Sequence, residues 1–85
     1  MRKNIQTVLA AWAHGEPCKQ GTCSTDGRTV FSYALPVARR QTGPNRIDRI
    51  TVRSTGPSHT TRTHIQAVRT FAQNNLVRLV ETAEL

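Results

Sequence analysis

Ser58-His59-Thr60-Thr61-Arg62-Thr63-His64, running on into Ile65-Gln66-Ala67-Val68-Arg69-Thr70-Phe71-Ala72-Gln73-Asn74, is the stretch on which the fold turns. Gly56-Pro57 precedes it and cannot continue a strand. The hydroxyls of Ser58, Thr60 and Thr61 are suited to accept hydrogen bonds from the free N–H groups of a first helical turn. Ile65, Val68, Ala72, Leu76 and Leu79 then recur at spacings of 3, 4, 4 and 3, an apolar stripe of 3.6-residue period that Phe71 widens. Arg69 falls off the centre of that stripe and is expected to tolerate substitution. Asn74-Asn75 is a plausible left-handed stop, and Leu76-Val77-Arg78-Leu79-Val80 alternates as a strand does. The expectation is therefore a helix to about residue 74 and a strand at 76–82.

Working outward, residues 46–53 (RIDRITVR) read as a strand with Ile50 and Val52 on one face and Arg49, Thr51 and Arg53 on the other; Ile47 breaks the alternation. Residues 41–45 (QTGPN) read as a turn. Before them, 28–40 (RTVFSYALPVARR) reads as strand, with Phe31 and Tyr33 on one face, Val30 and Ser32 on the other, Pro36 marking an end, an edge or a corner, and Val37-Ala38-Arg39-Arg40 continuing as a second short strand. Residues 15–27 (GEPCKQGTCSTDG) read as a loop closed by the Asp26-Gly27 turn. Residues 4–14 carry Ile5, Val8, Leu9 and Trp12 at helical spacing, a short amphipathic helix ended by Gly15 with Trp12 in the core. The sum is one small α+β domain over residues 1–85: an antiparallel sheet of three or four strands with two helices packed on one face, in the order α-β-β-β-α-β.

Eighty-five residues support one modest core, burying about 60–65% of the unfolded surface. Only Trp12, Phe31, Tyr33 and Phe71 are aromatic, so that core must be mainly aliphatic. No apolar run approaches the roughly 18 residues of a membrane span, and Arg2-Lys3 is not followed by a secretory core, which predicts a soluble cytoplasmic protein without a membrane partner. Twelve basic residues face five acidic ones, for a net charge of +7, and ten of the twelve are Arg. Arg offers phosphate a planar bidentate fork, although a GC-rich coding sequence gives the same bias.

Three groups of residues are candidates for function. Arg39, Arg40, Arg46, Arg49 and Arg53 flank the 41–45 turn, where an antiparallel pair brings them together as a basic patch for an anionic partner, DNA or RNA included. Thr60, Thr61, Arg62 and His64 sit at a helix N-terminus, where free N–H groups attract anions. The same residues also serve as a plain cap, with His64 bonded to a loop carbonyl. Cys18 and Cys23 form C-x4-C, compatible with free thiols, a local disulfide, or a zinc site completed by His59 and His64. The 35 residues between the two pairs greatly exceed the about 12–15 of a zinc finger, so free thiols lead and no metal is expected. Asp26 and Asp48 are isolated from either His, so no catalytic set is legible and no enzyme is expected. No cofactor motif is present.

Gly27, Phe31-Ser32-Tyr33, Pro36-Val37-Ala38, the Arg-rich strand and Ser58-x-Thr60-Thr61-x-x-His64 together resemble a family of small bacteriophage and archaeal-virus proteins. That family's pattern is a Gly, an S-Y strand, an I-A pair, and S-x-T-T-x-x-H opening a helix. Here Val37-Ala38 replaces I-A, and the two cysteines lie outside the pattern. The resemblance spans roughly residues 8–70 and brings no enzymatic activity with it. It implies a phage accessory protein in the host cytoplasm, a class that includes inhibitors of host defence complexes such as anti-CRISPR proteins. The implied partner is a host defence protein or nucleoprotein complex, with direct DNA or RNA binding as the alternative.

Overall fold

A computed structural model describes residues 3–43, 46–54, 56 and 58–83, with side chains described for 4–41, 49–54, 56 and 58–83. In chain order the elements are α1 (Lys3–Ala13), β1 (Cys18–Gln20), β2 (Cys23–Thr25), β3 (Thr29–Ser32), β4 (Leu35–Gly43), β5 (Arg46–Arg53), α2 (His59–Asn74) and β6 (Arg78–Thr82). The class is α+β as expected, but the sheet has six strands rather than three or four, and the order is α-β-β-β-β-β-α-β. The strands lie side by side in sequence order. All neighbours pair antiparallel except β5 and β6, which are parallel because α2 carries the chain back between them. The sheet is therefore mixed.

Two of the extra strands come from the expected loop. Gly21, at φ +61, turns Cys18–Gln20 back onto Cys23–Thr25, and β2 then pairs with β3. A second turn, at Tyr33-Ala34, separates β3 from β4, so the chain reverses before Pro36 rather than at it. Pro36 lies inside β4 beside a bulge: Phe31 faces Pro36 and Val30 faces Ala38, leaving Val37 as the extra residue. Val37 and Ala38 are both fully buried, and the strand resumes its alternation one residue later.

Both helices cover one face of the sheet. Ile5, Val8, Leu9 and Trp12 of α1 and Ile65, Ala67, Val68 and Ala72 of α2 join Cys23, Val30, Val37, Ala38, Ile50 and Val52 in a single buried cluster. The Trp12 and Phe71 rings meet at 5.6 Å between centroids where the helices touch. Trp12 also donates its indole N–H to the carbonyl of Arg28 at 2.7 Å, so its one polar atom is satisfied in the core. Side chains of this size, fully buried, each contribute about 1.5–3 kcal/mol.

The ends of α2 follow from local chemistry. Ser58 is the N-cap, its Oγ accepting the Thr61 N–H at 3.2 Å. At the other end the Leu76 N–H bonds to Gln73 and the Val77 N–H to Ala72, the paired bonds of a Schellman motif. The helix stops at Asn74 as expected, but the left-handed residue is Leu76 (φ 54), with Asn75 at φ −105 serving as the cap. Leu76, expected on the stripe, is 94% exposed. Arg69 is also less idle than its phase implies: it bridges Glu81 of β6 at 2.5 Å and donates to the Ser54 carbonyl.

Candidate nucleic-acid interface

Pairing register sorts the arginines by face, because residues paired across strands point the same way. Ala38 pairs with Val52 and Arg40 with Ile50 on the helix-covered face. Arg39 pairs with Thr51 and Gln41 with Arg49 on the opposite face, where Arg49 pairs onward with Arg78 and Thr51 with Val80. No described element packs on this outer face. Arg39, Gln41, Arg49 and Arg78 are exposed, and no described acidic residue shares these outward positions. Among the described residues none of the three arginines has an ion-pair partner, the one described ion pair being Arg69–Glu81 on the inner face. Arg49 and Arg78 are direct neighbours, an arrangement of like charges that costs the sheet stability.

Of the five expected patch residues, Arg39 and Arg49 are thus brought together on the outer face, while the side chain of Arg46 lies outside the described residues, as does that of Asp48. Arg40 points to the other face and is half-buried, its Nε donating to the Gly27 carbonyl at 2.8 Å. Arg53 is half-buried and already engaged, donating to the carbonyls of Pro36 at 3.2 Å and Ala83 at 3.4 Å. Two further arginines belong with the patch and escape sequence reasoning. Arg78 belongs to β6, whose position beside β5 depends on a non-local parallel pairing. Arg28 lies just before β3 and, with Arg39, Arg40 and Gln41, lines a cleft of about 300 Å³.

The helix-entrance group is divided. Thr61 (1% exposed) and His64 (4%) are interior, Thr60 is half-buried, and Arg62 is exposed on the helix side of the sheet. His64 Nδ1 lies 2.7 Å from Ser32 Oγ, Ser32 Oγ lies 3.1 Å from Thr61 Oγ1, and Ser58 Oγ donates to Thr61 Oγ1 at 3.0 Å. The serine of the S-Y strand and the S-x-T-T-x-x-H element therefore form one buried polar chain that ties β3 to the start of α2. Ser32 is fully buried, so it offers no surface nucleophile. Thr61 and His64 hold the fold together and do not line the outer face. Gly27, the glycine of the same pattern, has φ +102, and a Cβ there would stand 2.6 Å from the Gly15 carbonyl oxygen.

The cysteines and histidines do not assemble as a metal site: among the described residues no group of three or more His, Cys, Asp or Glu side chains is placed to hold an ion. Cys18 and Cys23 are both free thiols. Burial, with a lesser effect from Cys18, pushes the Cys23 thiol up to about 11. Asp26 is held below the usual carboxylate range by the N–H groups of Thr29 and Arg28, which its Oδ1 accepts at 2.8 and 2.9 Å. No helix among the described residues is long and apolar enough to cross a membrane.

Compared with known protein families, with curated proteins and with solved structures, the chain finds no match.

Proposed function

We propose that this is a non-enzymatic phage accessory protein that inhibits a host defence nucleoprotein complex in the host cytoplasm by binding its nucleic acid through the outer face of the sheet. The observation that carries the binding mode is the row formed by Arg39, Arg49 and Arg78 on an uncovered face, with like charges set side by side and no described acid among them. A phosphate backbone relieves that repulsion and exploits the bidentate fork of each guanidinium. The phage context rests on the resemblance of Gly27, Ser32-Tyr33 and Ser58-x-Thr60-Thr61-x-x-His64 to that family.

The test is fluorescence anisotropy with a labelled single-stranded RNA, alongside binding to a guide-loaded host effector before and after nuclease treatment. Arg49→Gln with Arg78→Gln should weaken both interactions and lower the log–log salt slope by about 0.7 for each phosphate that is no longer neutralised. The melting temperature should hold or rise slightly, since both side chains are exposed, have no ion-pair partner among the described residues, and lose their mutual repulsion. Binding to free RNA as tight as to the effector would favour a direct nucleic-acid binder instead. Unchanged affinity in the double variant for both targets would refute the reading.

A further inference from the structure

We infer that the cleft lined by Arg28, Arg39, Arg40 and Gln41 is a phosphate-binding subsite, which takes one phosphate group of the strand lying on the sheet. The inference deepens the reading above, since it assigns a discrete site to that surface. β3 begins at Thr29 whereas β4 runs on to Gly43, so beyond Arg28 the β3-side edge of β4 is open. The cleft of about 300 Å³ sits there. That is the liquid volume of about ten water molecules, room for a phosphate with its sugar.

The backbone beneath the lining and the Arg40 side chain are held in place before any ligand arrives. The Arg28 carbonyl accepts both the Trp12 indole N–H at 2.7 Å and the Arg40 N–H at 3.1 Å, while the Arg28 N–H donates to Asp26 Oδ1. Arg40 is anchored through its Nε to Gly27, and Arg39 stands on a central strand. Arg40 is thus a preorganised donor that loses little freedom on binding, which favours a small anion. Asp26 is one nearby acid, held ionised because backbone N–H groups stabilise its carboxylate, and Glu16 is another, next to the Gly15 against which the Arg40 guanidinium lies. Three guanidinium groups against these two carboxylates still leave the site positive, the complement of a phosphate. Gln41 joins the cleft to the basic row, because its register partner is Arg49 and Arg49's is Arg78.

Inorganic phosphate titrated into the full chain at low salt should move the Arg28 and Arg39 side-chain Nε–H resonances saturably. Arg28→Gln should weaken that binding about tenfold, the effect of one charge-assisted bond. Arg39→Gln gives a second variant, and Arg62→Gln, exposed on the helix side, is the control. Short oligonucleotides with a 5′-phosphate or a 5′-hydroxyl distinguish the source. A preference for the 5′-phosphate that Arg28→Gln abolishes assigns a terminal monoester, and equal weakening of both assigns a phosphodiester; either supports the cleft. Absence of a saturable shift at Arg28 and Arg39, or an unchanged titration in Arg28→Gln, overturns it. If phosphate binds while oligonucleotides do not, the sheet-face reading fails and the cleft stands. If Arg49→Gln with Arg78→Gln weakens oligonucleotide binding while phosphate fails to bind, only the cleft falls.

Discussion

Ser32→Ala removes a single buried oxygen, and the structure makes that atom a junction. It stands 2.7 Å from His64 Nδ1 and 3.1 Å from Thr61 Oγ1, with 0% exposure. The substitution adds no bulk and creates almost no cavity, so the loss is one of hydrogen bonding. Deleting one partner of a buried pair leaves the other to bear its desolvation, about 1–3 kcal/mol, and the second hydrogen bond adds about another 0.5–1 kcal/mol. The expected cost is about 1.5–4 kcal/mol, which in a domain of this size lowers the melting temperature by about 6–32 °C. Thermal melts read by far-UV circular dichroism give the number. A double-mutant cycle with Thr61→Val apportions it, and the two changes should fall short of additivity because they share a bond. A shift of under 2 °C, or strict additivity, would show that the Ser32–Thr61–His64 chain does not stabilise the fold, and the interior role given to these residues would collapse.

Other consequences can be checked with the same melts. Cys23 holds its proton more tightly folded (about 11) than its ordinary value of 9.0, so its contribution is complete below pH 9 and lost as pH rises to about 11. Stability should fall by about 2–3 kcal/mol across that window, and Cys23→Ser should flatten the fall; a thiol reagent at pH 8 should label Cys18 first. Arg69→Asp should cost about 1–2 kcal/mol by breaking the bridge to Glu81 and facing it with a like charge, and adding Glu81→Arg should restore most of it. A neutral Arg69→Asp would exclude the bridge. Leu76→Gly should raise the melting temperature by about 4–8 °C, because an exposed leucine at φ 54 gives up about 1 kcal/mol to backbone strain; a decrease would mean that Leu76 makes a stabilising contact.

What the sequence makes legible is whatever repeats with a period. Ile5, Val8, Leu9 and Trp12, and Ile65, Val68 and Ala72, mark their helices because each stripe is long enough to stand above the background, and all seven are buried. The alternation of Ile50 and Val52 against Arg49 is readable for the same reason. The β1–β2 hairpin escapes because its strands have three residues each and its inward positions are Cys18, Gln20, Cys23 and Thr25, which carry no hydrophobic alternation. The outer face is half visible. Arg39 and Arg49 are diagonal neighbours through a local turn, whereas Arg78 reaches Arg49 only after a sixteen-residue helix has been folded back. Arg40 groups with Arg39 in the sequence because both end the same strand segment, yet consecutive strand residues point to opposite faces.

The bulge at Val37 gives the charge display a fixed dependence on chain length. Because two consecutive residues point inward there, Arg39 emerges toward solvent and Arg40 turns back to clasp Gly27. Deleting Val37 would simply remove the bulge, whereas inserting one residue between Ala38 and Arg39 would exchange the faces of the two arginines, turning Arg39 inward and Arg40 outward opposite Arg49. The length of β4 beyond the bulge therefore decides which arginine joins the row. The outward display is thus altered either by exchanging one outward side chain for another or by changing the length of the strand beyond its bulge.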